Sequence, residues 1–364
     1  MGIGSFEHQT FAQRVVFGAG TAMTSLVTEA DRLGARRVLL IATHAEAELA
    51  DRLAGALPVS GRFHDVRPHV PAEVAEAARA LAQEIEADLL VCIGGGSTTG
   101  TAKAVALTTG LPILAVPTTY AGSEATPVWG MTEARRKTTG TDPVVLPRVI
   151  VYDPELSVSL PTALAVASGL NAMAHCVDSL WAPRANPLLS AMATEGIRAL
   201  APALRGIVAD AGDLDARAGC LYGAYLSAST FAGAGSGLHH KICHVLGGAY
   251  DLPHADTHAV VLPHVLAYNA DDAPRAADRV AEALGAAESV AGLIDLYDDL
   301  AAPRALRDLG LREDQLEEAT GLVVDAAPAD NPRAVTAESI HRLLRRAWSG
   351  AAPLRAADDE RNPS

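Results

Sequence analysis

The stretch Asp88–Thr109, DLLVCIGGGSTTGTAKAVALTT, constrains the fold more than any other. An apolar run, DLLVCI, enters Gly94-Gly95-Gly96-Ser97, and a helical pattern follows from about Thr99 to Thr109. A strand that is apolar at consecutive positions must be covered on both faces, as in a parallel sheet. Glycines after such a strand let backbone N–H groups approach an anion, and the helix dipole adds attraction. The spacing is neither G-x-G-x-x-G nor that of a Walker loop. Taken alone, it reads equally as a tight strand-to-helix turn.

The flanking sequence repeats the theme. Strand-length apolar runs fall at 11–18, 37–43, 61–66, 88–93 and 112–116, with helical patterns at 24–34, 45–56, 71–86 and 99–109. Alternation of this kind predicts a parallel sheet with helices on both faces. The run at 112–116 ends in Pro117-Thr118-Thr119. Ligands of such sheets collect at the carboxyl ends of strands, so the two loops should flank one dinucleotide site. From about residue 161 the strand signal stops. Helices are expected at 161–181, 187–209, 213–246, 258–270, 274–285, 288–300, 303–308, 312–325 and 336–348, punctuated by Pro187, Pro202, Pro274, Pro303 and Pro332. The expected fold is an α/β N-terminal domain, residues 1–160, with a Rossmann-like dinucleotide-binding parallel sheet. An all-α C-terminal domain, residues 161–364, completes it.

The second chemical feature is GLHHKICHVLGGAYDLPHADTH, Gly237–His258, which holds five of the chain's twelve histidines: His239, His240, His244, His254 and His258. On a helix with Gly247-Gly248 as its stop, His240 and His244 share a face and His239 points about 100° away. His254, after Pro253, is expected in a loop that folds back onto that face. Upstream, Asn171 and His175 stand four apart and also share a helix face. Together these side chains suit a metal site, an acid/base relay or an anion pocket, placed in a cleft between the domains. The plainer reading is a set of hydrogen-bonded core histidines with a capping Asn.

A net charge of −14 argues against nucleic acid or anionic membrane as partner. The N-terminus lacks a basic region followed by an apolar run, so no signal peptide is expected. MGIGSF is only a weak myristoylation signal without a second anchor. The nearly uncharged stretches Leu156–Val177 and Gly219–Leu238 read as buried helices. Cys92, Cys176, Cys220 and Cys243 are scattered without C-x-x-C, which suits reduced thiols in the cytoplasm. Cys176 and Cys243 adjoin the histidine motifs, which leaves a reactive thiol open.

GGGSTTGTAKA at 94–104, PTTYAGSEATPVWG at 117–130, RRKTTGTDPVVLPR at 135–148, GLNAMAHCVDSLW at 169–181 and GLHHKICHVLGG at 237–248 together resemble the iron-containing alcohol dehydrogenases. The resemblance covers nearly the whole chain and is closest to the maleylacetate reductase branch. It implies the dehydroquinate synthase-like fold of that family and a homodimer. It implies reduction of the C=C bond of maleylacetate, a dicarboxylate, to 3-oxoadipate by NADH or NADPH in aromatic-compound catabolism. The implied cofactor contacts are Gly94, Gly95, Gly96, Ser97, Thr98, Thr118, Thr119, Ser123, Lys137 and His69. The implied catalytic set is His175, His240, His244 and His254, with Lys241, His239, Tyr120 and Asn171 on the substrate. The family's metal ligands are an Asp and three His. Here they fall on Asn171, His175, His240 and His254, and the neutral Asn implies that no metal is required. Gly100 stands where the family often has an Asp. Thr43-His44 ends the second strand without a carboxylate to repel a 2′-phosphate, though Glu46 is close. The alternatives are another alcohol or aldehyde dehydrogenase of the family, and a silent nucleotide-binding protein on the same fold.

Overall fold

The computed structural model describes residues 5–133 and 136–355, with the side chains of residues 136 and 137 also outside the description. The chain divides into two units. One holds Thr10–Leu160 with Gly212–Leu221; the other holds Pro161–Ala211 and the chain from Tyr222, with the stretch before Thr10.

The first unit is built on six parallel strands in the order β1-β8-β5-β4-β2-β3. These are β1 (Arg14–Phe17), β2 (Val38–Ile41), β3 (Val59–Phe63), β4 (Leu89–Gly94), β5 (Ile113–Pro117) and β8 (Val149–Tyr152). Four helices cover it: α1 (Ala22–Arg32), α2 (Ala47–Leu53), α3 (Ala72–Glu84) and α4 (Gly96–Thr109). Alternation along each strand sorts the side chains. Val38, Leu40, Leu89, Val91, Leu114 and Val149 pack with Leu26 of α1 and Leu53 of α2. Leu39, Ile41, Leu90, Cys92, Ile113 and Ala115 pack with Val74 and Ala78 of α3 and Val105 of α4. Period 2 thus serves both faces of a doubly covered sheet.

Two pieces of this unit go beyond the sequence-based expectation. β8, the VIVY run, inserts between β1 and β5, and β6 (Val128–Glu133) pairs with β7 (Arg136–Thr141) as an antiparallel hairpin. VIVY is only four residues long, and the hairpin strands are rich in Thr, Gly and charge, so neither carries a strong apolar period.

The second unit is helical. Its helices are α5 (Thr162–Ser179), α6 (Pro187–Ala209), α7 (Leu214–Ala234, whose first turns count with the sheet unit), α8 (Leu238–Tyr250), α9 (His254–Asn269), α10 (Pro274–Leu284), α11 (Ser289–Asp299), α12 (Leu316–Ala326) and α13 (Ala337–Ser349). α5 is the central rod: every residue from Ala165 to Ser179 is buried, and it packs on α6 and α9. Among the described residues no helix is long and apolar enough to cross a membrane.

The long helix expected over 213–246 is two helices. Gly235 takes a φ of 87° after α7, and extended Gly237 caps α8. Gly247-Gly248 does not stop α8, which runs on to Tyr250 and ends on left-handed Asp251. His254 is the first residue of α9 rather than part of a loop, because Pro253 presets the turn into that helix. Pro202 sits inside α6, which spans the range expected at 187–209. Residues 303–308 make only the short 3-10 turn Leu306–Leu309.

One buried lysine, its pKa pulled down to about 7 by burial, fixes the loop between β5 and β6. Lys103 of α4 has no exposure, and its Nζ donates to the carbonyls of Ser123 (2.5 Å), Thr126 (2.8 Å) and Val128 (2.7 Å) and to Thr126 Oγ1 (3.1 Å). Buried Glu124, which accepts from the Tyr152 hydroxyl at 2.7 Å, lies in the same loop. Lys103→Met would leave those carbonyls without a donor and Glu124 without its counter-charge. It should lower the unfolding free energy by about 3 kcal/mol, read from urea denaturation midpoints.

Candidate functional site

Three strand ends build the nucleotide cradle. β4 delivers Gly94 at a φ of 149°, and a Cβ there would lie 2.5 Å from Thr98 Oγ1 and 2.6 Å from Glu46 Oε2. Glycine is therefore required. Gly95 caps α4 without a side-chain cap, so the first-turn amides of Gly96, Ser97 and Thr98 suit an anion. Thr98 Oγ1 is buried with no hydrogen-bond partner. From the end of β5, the Thr118 amide donates to the Gly94 carbonyl at 3.2 Å, and Thr119 Cγ2 would be 3.1 Å from a Cβ on Gly95. From the end of β2, Glu46 accepts from Thr118 Oγ1 at 2.7 Å and from Thr43 Oγ1 at 2.9 Å. The glycine loop and the Pro-Thr-Thr loop thus meet as expected, tied by a carboxylate.

The remaining expected cofactor contacts fall as follows. Ser123 opens a 3-10 turn farther along the same loop, its carbonyl on Lys103. The Lys137 side chain lies outside the described residues. His69 and Val70 form a left-handed turn, φ 62° and 50°, which the hairpin holds: Thr132 donates its hydroxyl to the His69 carbonyl (2.9 Å) and its amide to that of Val70 (3.0 Å). A β-branched residue in that region is strained. The strain has an occupant's role, because a Cβ on Gly100 would come within 2.8 Å of Val70 Cγ2. Val70 fills the space that a side chain at residue 100 would need.

Tyr120, expected on the substrate, is fully buried, and its hydroxyl lies 3.3 Å from Arg217 Nη1 and 3.5 Å from Ser157 Oγ, with Arg217 also donating to the Leu160 carbonyl.

The histidines of the helical unit are organised by Asp178, a residue without exposure at the end of α5. Its Oδ2 accepts from His240 Nδ1 (2.7 Å) and the Gly237 amide (2.8 Å). Its Oδ1 accepts from Trp181 Nε1 (3.1 Å) and the His239 amide (3.3 Å). The carboxylate therefore caps α8 from another helix and fixes the His240 tautomer, with the proton on Nδ1 and a lone pair on Nε2. His240 stacks on His175, ring centroids 4.9 Å apart and 11° between planes, with Phe231 4.3 Å from His240. His244 lies 6.1 Å from His240 and His254 4.4 Å from His258; both are exposed. Lys241 is half-buried.

His239, expected on the substrate, faces other side chains of the helical unit. It is buried, and its Nε2 lies 2.9 Å from His258 Nδ1 and 3.7 Å from Cys243 Sγ. The open question of a reactive thiol is answered by burial, which pushes Cys92 up to about 12 and Cys176 and Cys243 well above the ordinary range. Phe231 and Asp178 carry no motif. Asp178 had one usable signal: it is the only charged residue in α5, three beyond His175, and a charge in an otherwise neutral buried helix must be paired.

Models of two families match the chain: iron-containing alcohol dehydrogenase over residues 12–154 and the C-terminal part of the Fe-containing alcohol dehydrogenase family over 165–348. A maleylacetate reductase from Burkholderia cepacia is 47% identical over 342 residues, 93% of this chain and 97% of that one. The chain belongs to the iron-containing alcohol dehydrogenase family, in its maleylacetate reductase branch. Among solved structures, the iron-containing alcohol dehydrogenase of Corynebacterium glutamicum superposes with a TM-score of 0.93 at 53% identity, covering 94% of this chain and 97% of that one. The maleylacetate reductase of Agrobacterium tumefaciens gives 0.92 at 42%, covering 96% and 100%.

The family's name raises the question of an ion. At the family's ligand positions, Asn171 Oδ1, His175 Nδ1 and His240 Nε2 are buried without hydrogen-bond partners. Neutral nitrogen and carbonyl donors of this kind can hold a borderline transition ion, and Asp178 behind His240 is the carboxylate–histidine support such ions use. The set fits an ion, but no carboxylate stands among these ligand positions.

Burial, with help from neighbouring histidines, pulls His175, His239, His240 and His258 well below the usual imidazole range. Burial pulls His264 down to about 3, with Arg346 and Arg304 adding to it. Below the ordinary imidazole pKa the unfolded chain binds protons that the fold refuses, so stability falls with falling pH. Each histidine contributes about 1.4 kcal/mol per pH unit below roughly 6.5. Urea midpoints should drop steeply from pH 6 to 5; a flat profile over that range would refute neutral histidines.

Proposed function

We propose that this chain reduces the C=C bond of maleylacetate to give 3-oxoadipate, with NADH or NADPH as hydride donor, and that turnover requires no metal ion. The observation that carries the mechanism is the pair Asp178–His240, whose Nε2 has no protein partner. The hydride adds to the alkene carbon β to the ketone, and the electron pair moves onto the ketone oxygen as an enolate. A dicarboxylate substrate would bring negative charge beside His240, whose Nδ1–H is held by Asp178. His240 then takes a second proton on Nε2 and donates it toward the developing oxyanion. A proton delivered to the α-carbon regenerates the ketone, and exposed His244 or His254 can pass it in from solvent. Half-buried Lys241 is suited to a substrate carboxylate.

A bound iron or zinc ion would be held by His175, His240, His254 and the Asn171 carbonyl, and it would polarise the ketone. The argument against dependence is charge: Asn171 supplies none where the family has a carboxylate. Activity is expected to survive exhaustive chelation, with Asn171→Asp creating a dependence on added ion. Loss of wild-type activity on chelation, restored by iron or zinc, would overturn this part.

The reaction itself is tested by following NADH or NADPH absorbance on addition of maleylacetate. A simple aldehyde turned over in its place would favour a general alcohol dehydrogenase. His240→Ala should lower kcat by on the order of 10²–10³ and leave NADH binding near wild type. Lys241→Ala should chiefly raise KM. A His240 variant that melts early yet keeps its kcat at low temperature would mean that the cluster is structural. The reading also includes a homodimer, and light scattering at the mass of one chain would count against it.

A further inference from the structure

α8 and α9 bring together a second group of donor atoms, apart from the family's ligand positions. His239 and Cys243 stand four residues apart on α8 and share a face, and His258 lies one turn into α9. His239 Nε2 is 2.9 Å from His258 Nδ1 and 3.7 Å from Cys243 Sγ. The three donor atoms all lie within 4.8 Å of one another, and among the described residues this is the one such group of histidine, cysteine and carboxylate side chains. None of the three residues is more than 2% exposed. His240 is close, its ring 5.2 Å from that of His239 and 5.1 Å from that of His258, but its Nδ1 is committed to Asp178.

The two facing imidazoles are free to change tautomer. One hydrogen lies between His239 Nε2 and His258 Nδ1. The outer nitrogens, His239 Nδ1 and His258 Nε2, are buried without a hydrogen-bond partner, so no neighbour fixes which nitrogen of either ring is protonated. With both hydrogens on the outer nitrogens, two lone pairs face inward beside the sulfur. A trigonal ion about 2.0 Å from each nitrogen and about 2.3 Å from the sulfur needs nitrogens about 3.5 Å apart and a sulfur about 3.7 Å from each. The sulfur already has that spacing from His239, and the nitrogens need to part by roughly half an ångström.

Charge and ligand number select the ion. Two neutral imidazoles and a thiolate carry one negative charge, so a monovalent ion makes the set neutral, as a place without exposure favours. A divalent ion would leave a buried positive charge and call for a fourth ligand, and no fourth side chain of the same kinds joins the three among the described residues. Two imidazole nitrogens with a thiolate are a copper set. We propose that His239, Cys243 and His258 form a buried copper(I) site, separate from the positions at which the family holds its ion. The thiol proton leaves to solvent as the ion binds. Exposed His254, its ring 4.4 Å from that of His258, marks the side from which the ion enters. The site ties α8 to α9 and does not depend on which substrate the chain reduces.

The test is an anaerobic titration of the full chain with copper(I) in competition with bicinchoninate, whose coloured copper complex reports the transfer. X-ray absorption at the copper edge then reads the ligands. Wild type should withdraw one copper(I) per chain and show one sulfur and two nitrogens around it. His240→Ala, which removes one of the family's ligand positions, should leave the stoichiometry and the sulfur unchanged. Cys243→Ser should remove the sulfur and weaken binding by more than about a hundredfold, since even the loss of an outer-shell partner costs 10–100-fold. A chain that withdraws no copper, copper bound through nitrogen alone, or sulfur retained in Cys243→Ser would each overturn the site. The wild-type ligand count needs no variant, so it decides the matter even where Cys243→Ser folds poorly.

Discussion

The helical unit depends on one carboxylate with no exposure, Asp178. Asp178 collects four N–H donors: two amides at the start of α8, the indole of Trp181 and the imidazole of His240. A bare buried carboxylate would cost several kcal/mol, and these donors replace its hydration. The same contacts do three jobs at once. They break what would be one long helix at Gly235–Gly237, start α8 in its register, and orient the lone pair of His240. A Cβ on Gly237 would stand 2.5 Å from Asp178 Oδ1, so the closeness of backbone and carboxylate also requires that glycine.

This explains what the sequence could and could not reveal. The sheet was readable because β2, β4 and β5 are apolar at consecutive positions and end in glycine or Pro-Thr-Thr. The glycine loop was readable because its chemistry is local. The break between α7 and α8 was not, since its cap comes from Asp178, 59 residues before Gly237. Gly247-Gly248 looked like a stop and is not one, because neither residue leaves the helical conformation and α8 ends only on left-handed Asp251. His239 and His240 look equivalent as letters. Only the fold separates them, turning one toward His258 and Cys243 and the other toward Asp178. The surroundings of Tyr120 were hidden for a related reason: it lies in a loop motif, but Arg217 reaches it from far along the chain.

The two charged devices of the molecule are alike in logic. Lys103 and Asp178 are each buried, each bonded by backbone groups of another segment together with side chains, and each fixes an irregular stretch of chain. Irregular backbone cannot satisfy itself as helices and sheets do. A single ion with several partners is an economical way to hold it, and it also makes each device intolerant of neutral replacement.

The left-handed turn at His69–Val70 restricts which substitutions residue 100 can take alone. Val70 occupies the volume that a side chain at Gly100 would need, and the hairpin holds the turn there through Thr132. An aspartate at residue 100 would therefore meet a wall unless the turn moved first, and the turn has no reason to move while residue 100 is glycine. The two positions are energetically coupled, so the order of substitutions matters. A larger side chain at residue 100 is accessible only together with a change that moves Val70, so a single substitution there would read as a clash rather than as a new contact.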